Sequence, residues 1–275
     1  MAQGPDDSDL LVQFERDNIK DDYRVFYSIK RNNLFSSIQG FPEHWEFFWR
    51  LDEIWRREIG DLEIATDPNR VFPVVLYMNA HAKTRISMEL AFSNCMPEAR
   101  SILRDAVETV AHAHYMLRDP ANQLIWMKKD EPSGKKAFKK AFEDNKKTGL
   151  FSGLAELYEK YGERSEAGSH PTMQSFANRV SVEDRDGQRH MIVNYSGVPD
   201  RRLFATELFS RLLTCFVMER TFFEDYKTRF QLDPRLMQVR HDFEIFKENL
   251  RRALIARYNL QPPCRPPQGS RANTR

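Results

Sequence analysis

The sequence contains few of the residues from which common catalytic loops are built. Eleven glycines are spread over 275 residues, and none completes a Walker A loop, a G-x-G-x-x-G turn or a G-x-S-x-G nucleophile elbow. An H-E-x-x-H metalloprotease helix is also missing. These absences argue against a phosphate-cradling loop and against the best-known hydrolase and zinc-protease sites.

Cysteines and long apolar runs are scarce as well. Cys95, Cys215 and Cys264 lie far apart and form no C-x-x-C, which favours a reducing compartment over a disulfide framework or a zinc knuckle. No apolar run approaches the roughly 18 residues of a spanning helix. The beginning, "MAQGPDDSDLL", is acidic and lacks the basic flank of a signal peptide. We therefore expect a cytoplasmic protein with no membrane contact, metal or cofactor.

The charges nearly balance. Lys and Arg total 42 against 40 acidic residues, a net charge of +2, which argues against a dedicated nucleic-acid coat but leaves room for local basic patches. Twenty phenylalanines predict a core rich in aromatic side chains.

Hydrophobic periodicity predicts a mainly α fold, a multi-helix bundle with one inserted β-hairpin and a long C-terminal helical hairpin. The hairpin is expected at about 178–195, because apolar residues alternate around Asp186-Gly187. Helices are predicted at 8–31, 41–58, about 74–93, 97–118, in two or three pieces across 121–163, at 201–230 and from Asp233-Pro234 onward.

The last predicted helix carries a heptad-like seam that should pack antiparallel to 201–230. We expect one helical domain over 1–260, in which helices 8–60 form a semi-separate lobe, and a disordered tail over 261–275, which has four prolines and no acid. The seam comprises Leu236, Val239, Phe243, Phe246, Leu250 and Ala253.

Three of the four tryptophans fall in one predicted helix, as Trp45, Trp49 and Trp55, on a broad apolar face with Phe48 and Ile54. Large aromatic side chains mostly fill cores. The alternative is an exposed aromatic wall that binds a ligand or a second copy of the chain.

The helix at 97–118 is amphipathic. Arg104, Glu108, His112 and Tyr115 lie opposite its apolar stripe, and the first three are i,i+4 neighbours that can touch. Such a face is either a solvated surface with ion pairs or, where other helices cover it, a site. His114 falls at the edge of the apolar stripe, so the H-x-H pair cannot chelate one ion.

A second candidate segment is "SEAGSHP" at 165–171. Gly168 can bend the chain and Pro171 disfavours helical geometry before it, so His170 should lie at an extended corner. A histidine there is either a general acid or base or a structural hydrogen-bonding group.

Three motifs together resemble a group of uncharacterised helical bacterial proteins, related to the HEPN superfamily of nucleotide- and RNA-associated domains. They are R-x-x-x-E at 104–108, D-P at 119–120 and S-E-x-G-x-H-P at 165–171, and the resemblance covers about residues 73–230. The resemblance supplies no reaction, but it implies that the group's recurring positions are Arg104, Glu108, Ser165, Glu166, Gly168 and His170.

HEPN ribonucleases carry R-x(4–6)-H, and this chain has two matches, Arg164 with His170 and Arg235 with His241. Arg and His are frequent enough here for such matches to arise by chance.

Residues 128–147 contain eight lysines and four acids. On a helix, Lys135, Lys136, Lys139 and Lys140 share one face, opposite Phe138 and Phe142. This face is either the solvated side of a surface helix or a candidate contact for phosphate or RNA, with Arg164 beside it.

Two functions are compatible with these patterns. The first is an interaction or signalling module, dimeric through its aromatic or C-terminal helices, in which Arg104 and Glu108 fix the tautomer of His170. The alternative is a metal-independent HEPN-like ribonuclease, in which His170 is the general acid or base and Arg104 or Arg164 holds the phosphate.

Overall fold

The computed structural model describes residues 20–62, 68–144, 146–168, 180–193, 200–230 and 234–260, together with Gln13, Asp17 and Asn18. These residues form nine α-helices and one two-stranded antiparallel hairpin, so the predicted mainly α fold is confirmed. The predicted tail at 261–275 and most of residues 8–19 lie outside them.

The elements follow one another in a simple order. They are α1 (Asp21–Gly40), α2 (Pro42–Asp61), α3 (Pro68–Phe92), α4 (Met96–Arg118), α5 (Pro120–Met127), α6 (Lys135–Phe138) with a π-helical continuation (Lys139–Glu143), α7 (Ala155–Gly168), β1 (Val180–Arg185), β2 (Gln188–Val193), α8 (Arg201–Tyr226) and α9 (Pro234–Tyr258).

Local signals set most helix starts. Proline stands in the first turn of α2, α4 and α5, where its missing N–H removes no helical bond. Asp119 caps α5 by accepting from the Ala121 N–H, and Asp200 caps α8 in the same way. Two predicted boundaries were wrong: α3 begins before Pro73, which lies inside it, and α7 continues to Gly168.

Helix α4 lies at the centre of the bundle. It has its most extensive contact with α3 and also packs against α5, α7 and α8. Its predicted apolar stripe is confirmed by the complete burial of Ala99, Leu103, Ala106 and Val110. The small alanines let the neighbouring helices approach closely.

The tryptophan helix α2 is mainly a core helix. Trp55 and Ile54 are almost fully buried, whereas Trp49 is 59% exposed, so placing Trp49 with the buried face was wrong. Burial of Phe47 and Leu51 completes the face instead.

The C-terminal helices run antiparallel, as predicted. The rings of Phe216 on α8 and Phe243 on α9 lie 6.0 Å apart, and Arg240 contacts Glu219. Both helices also pack on α2. The predicted seam of α9 differs from the buried face at its C-terminal end, where Ala253 is exposed and Leu254 is buried instead. A straight helix has 3.6 rather than 3.5 residues per turn, so positions that repeat every seven residues gradually rotate away from the packed face.

The hairpin is confirmed at the expected turn. Val182 pairs with Met191, and Asp186 and Gly187 both have positive φ, 54° and 75°. This is the type I′ geometry that favours Asp-Gly. Val182 and Met191 are 66% and 72% exposed, so these two side chains of the hairpin do not belong to the core.

No helix within the described ranges is both long and apolar enough to cross a membrane.

We predict that Gly134→Ala destabilises the protein. A Cβ at residue 134 would lie 1.8 Å from the Lys128 carbonyl oxygen, so the chain between α5 and α6 must shift, at a cost of about 1–3 kcal/mol. Gly162→Ala is the matched control. Its Cβ would meet no atom of a described residue within 4 Å inside α7, so the substitution should stabilise the protein by about 0.5–1 kcal/mol. Urea unfolding of both variants measures the difference, and equal effects would contradict the close approach at Gly134.

Candidate functional site

The polar side of α4 is covered by protein. Arg104, Glu108, His112 and Tyr115 are all half-buried, because α7 and the segment that precedes it pack over them. Of the two alternatives for this face, the solvated surface is therefore wrong. The structure shows a polar layer between packed elements.

The Tyr161 hydroxyl of α7 joins the groups of this layer. It accepts hydrogen bonds from Arg104 Nη2 and Lys146 Nζ, both at 2.9 Å, and lies 3.4 Å from Glu108 Oε2. Lys146 Nζ also donates to Glu108 Oε1 at 2.5 Å. Arg104 and Glu108, predicted to act together, thus meet through a tyrosine that no sequence signal indicated.

The environment keeps Lys146 charged. Burial disfavours its ammonium group, but hydrogen bonds to Glu108 and Tyr161 outweigh burial and raise the pKa of Lys146 above its usual value. Both Arg104 and Lys146 lie 5.0 Å from the centroid of the Tyr161 ring. The ring and its hydroxyl therefore contact both cations at once.

His112 continues the polar face, but it is held as a neutral group. Trp126 Nε1 donates to His112 Nδ1 at 3.2 Å, and the Phe142 ring lies 5.1 Å away. Burial lowers the pKa of His112 to about 4. Because Nδ1 accepts, the neutral ring carries its proton on Nε2.

A pocket of about 370 Å³ opens between α3, α4 and α5 beside this face. Glu108, His112 and Trp126 line it together with Lys83, Asp105 and Lys129. Lys83 Nζ pairs with Asp105 at 2.7 Å, and Lys129 Nζ lies 4.3 Å from the Trp126 ring centroid. The wall therefore offers two ammonium groups, two carboxylates and aromatic surface.

The second predicted segment is only partly within the described residues. Ser165, Glu166 and Gly168 belong to the last turns of α7, so the expected corner does not begin before residue 169. The side chains of Arg164, Ser165 and Glu166, and His170 altogether, lie outside the described residues. A contact between His170 and Glu108 stays a prediction.

The lysine segment has the predicted two faces. The aromatic face packs inward, with the Phe138 and Phe142 rings stacked 4.9 Å apart. The segment differs from the predicted regular α-helix, because residues 139–143 are π-helical. The opposite face is exposed and comprises Lys135, Lys136, Lys139 and Lys140.

The second R-x(4–6)-H match does not form a compact site by itself. Arg235 and His241 lie on one continuous helix, α9, where six residues correspond to about 120° around the axis and about 9 Å along it. The two side chains therefore point in different directions.

Charged groups inside the bundle are the main feature that the sequence did not indicate. Glu58 of α2 and Glu219 of α8 are fully buried, and both accept from the Arg240 guanidinium. Burial raises the pKa of both carboxyl groups, that of Glu58 well above its usual range. Arg211, also fully buried, donates to Glu207 at 2.8 Å.

No group of three or more His, Cys, Asp or Glu side chains in the described part of the chain could hold a metal ion. Compared with known families, with curated proteins and with solved structures, the chain matches none. Function is therefore argued from the geometry.

We predict that Tyr161→Phe destabilises the protein by about 1–3 kcal/mol, because the change removes the acceptor shared by two partly buried cations. Tyr158→Phe, one turn earlier on α7, is the control. The Tyr158 hydroxyl makes no hydrogen bond with any described residue, so its loss should change stability by less than about 0.5 kcal/mol. Equal unfolding free energies of the two variants would show that the Tyr161 hydroxyl does not join the layer.

We predict that His112 makes the protein sensitive to acid. Burial lowers the pKa of His112 from 6.5 to about 4, so the stability that the neutral ring contributes is complete above pH 6.5. It decreases as the pH falls toward 4, by about 3 kcal/mol.

In His112→Asn the amide oxygen can replace Nδ1 as the acceptor without titrating. The stability of this variant relative to the wild type should therefore rise as the pH falls. His241→Asn on the exposed side of α9 is the control, because it makes the same substitution outside the buried face of α4. Urea unfolding at a series of pH values measures both, and parallel curves for His112→Asn would contradict a buried neutral ring.

Proposed function

We propose that this protein is a binding module, and that its binding site is the pocket beside the polar face of α4. The observation that carries the proposal is the pocket itself, which combines polar groups of both charges with aromatic surface. Mixed lining of this kind is typical of ligand sites, in which a few polar groups fix orientation and apolar surface supplies contact area.

The side chains behind the pocket support binding rather than proton transfer. Glu108 is ion-paired with Lys146, and His112 is neutral and fixed by Trp126. Groups held in this way are arranged before a ligand arrives, so little entropy is lost on binding. His112 is a weak proton donor and acceptor near neutral pH, because burial lowers its pKa to about 4.

We also propose a cellular location and an oligomeric state for the module. A cytoplasmic location is supported by the cysteine pattern, because Cys95, Cys215 and Cys264 lie far apart in the sequence and form no C-x-x-C. A homodimer through the aromatic or C-terminal helices is supported by exposed apolar side chains on these elements, Trp49 of α2 and Ile245 of α9.

A second candidate, a HEPN-like ribonuclease that acts on RNA, is favoured by one observation. Lys135, Lys136, Lys139 and Lys140 form no ion pair within the described residues, although each is exposed, so their charges are available to phosphates. This supports contact with RNA. Cleavage would depend on His170.

The pocket can be tested by closing it. Val75 lines the pocket from α3 and is 53% exposed, whereas Met78 on the same helix is 47% exposed and does not line it. Val75→Trp should fill the pocket, and Met78→Trp adds the same side chain outside it. We expect at least one molecule, identified by mass spectrometry, to copurify with the wild type and Met78→Trp but not with Val75→Trp.

An identical set of bound molecules in all three proteins would contradict the proposed site. The ribonuclease is tested separately with labelled single-stranded RNA. If the wild type cleaves it and His170→Ala does not, the enzyme replaces the binding module as the function.

A further inference from the structure

His114 follows His112 by two residues, so the two side chains are about 160° apart around the helix axis. Because His112 lines the pocket, His114 lies on the side of α4 away from it. Its ring is oriented by Asp225 of α8, whose two carboxylate oxygens lie 2.9 and 3.0 Å from Nδ1. The Tyr77 hydroxyl of α3 donates to the same carboxylate at 2.5 Å. A carboxylate that accepts from both groups fixes the proton of the imidazole on Nδ1.

The other ring nitrogen, Nε2, forms no hydrogen bond with a described residue. The His114 side chain is 18% exposed, so solvent reaches the ring. An aspartate that orients a histidine and leaves the distal nitrogen accessible is an arrangement that suits binding and proton exchange at that nitrogen.

The Arg118 guanidinium borders the same space. Gly153 has φ of +86°, and a Cβ at that residue would lie 3.8 Å from His114 Nε2 and 3.7 Å from Arg118 Nη1. Apart from the residues next to Gly153 in the chain, no other atom of a described residue would lie within 4 Å of it. The glycine therefore leaves space beside both nitrogens.

Arg118 is held in place by its own contact. Its Nη1 donates to the Ser152 carbonyl oxygen at 2.6 Å, which leaves further N–H groups of the planar guanidinium for an anion. Arg118 follows His114 by one helical turn and is the last residue of α4. The side chains of both residues therefore belong to one rigid element.

We propose that His114 and Arg118 form a binding site for a phosphate group, with Asp225 and Tyr77 as positioning residues. One phosphate oxygen accepts from Arg118, and a second phosphate oxygen forms a hydrogen bond with His114 Nε2. A P–OH group donates to Nε2 of the neutral ring, and a P–O⁻ group accepts from Nε2–H of the protonated ring. The site is separate from the pocket and does not depend on the proposed function.

The test uses the full chain with isotope-labelled histidine, and the His114 resonance is assigned with His114→Gln. Inorganic phosphate and glycerol phosphate are titrated at matched ionic strength, with chloride as the control anion. We expect a saturable shift of the His114 signal with phosphate and none with chloride. A tighter complex with glycerol phosphate than with inorganic phosphate would identify a phosphate ester as the ligand, and the reverse order would identify the free ion.

Arg118→Gln should weaken phosphate binding by about tenfold or more, since it removes a charge-assisted hydrogen bond. Arg118→Lys keeps the positive charge but lacks the planar guanidinium, so its affinity for phosphate should lie between those of the wild type and Arg118→Gln. Arg220→Gln is the control, because Arg220 is paired with Glu156 on neighbouring helices and does not border Gly153. Absence of a saturable shift, an equal shift with chloride, or unchanged binding in Arg118→Gln would overturn the proposal.

Discussion

The polar face of α4 is partly covered by neighbouring elements, and polar groups removed from water must find partners inside the protein. This requirement determines how the elements around α4 are placed. Tyr161 satisfies it from α7, Lys146 from the loop before α7, and Trp126 from α5. Three elements that differ in sequence position are thereby tied to one helix, and the pocket is the space that they leave between α4 and α3.

The same requirement operates at the charged groups deeper in the bundle. Glu58, Glu219 and Arg240 come from three helices, and a hydrophobic core alone would not bring them together. Loss of Arg240 would be tolerated poorly, because both buried carboxyl groups would lose their cationic partner. The contact therefore specifies how α2, α8 and α9 meet, whatever it contributes to net stability.

Much of the architecture could be predicted because its signals are local. Pro42, Pro97 and Asp119-Pro120 mark helix starts through backbone chemistry, and Asp186-Gly187 marks the hairpin through positive φ. The site could be predicted only in part. Arg104 and Glu108 share a face by helical periodicity, but Tyr161 lies more than fifty residues away, and periodicity carries no information on which distant hydroxyl meets a given face. Buried Glu58 and Arg211 were missed because charged helix residues are nearly always exposed.

His112 and His114 show how far environment, rather than residue type, decides chemistry. One helix carries both rings two residues apart, and its geometry turns them to opposite sides. An indole donor and burial fix His112 as a neutral group with its proton on Nε2, whereas a carboxylate fixes the proton of His114 on Nδ1. The same ring atom therefore has opposite roles in the two residues: Nδ1 of His112 accepts from Trp126, whereas Nδ1 of His114 donates to Asp225. A single central helix can thus support two sites with different ligand preferences, because each side is completed by different neighbours.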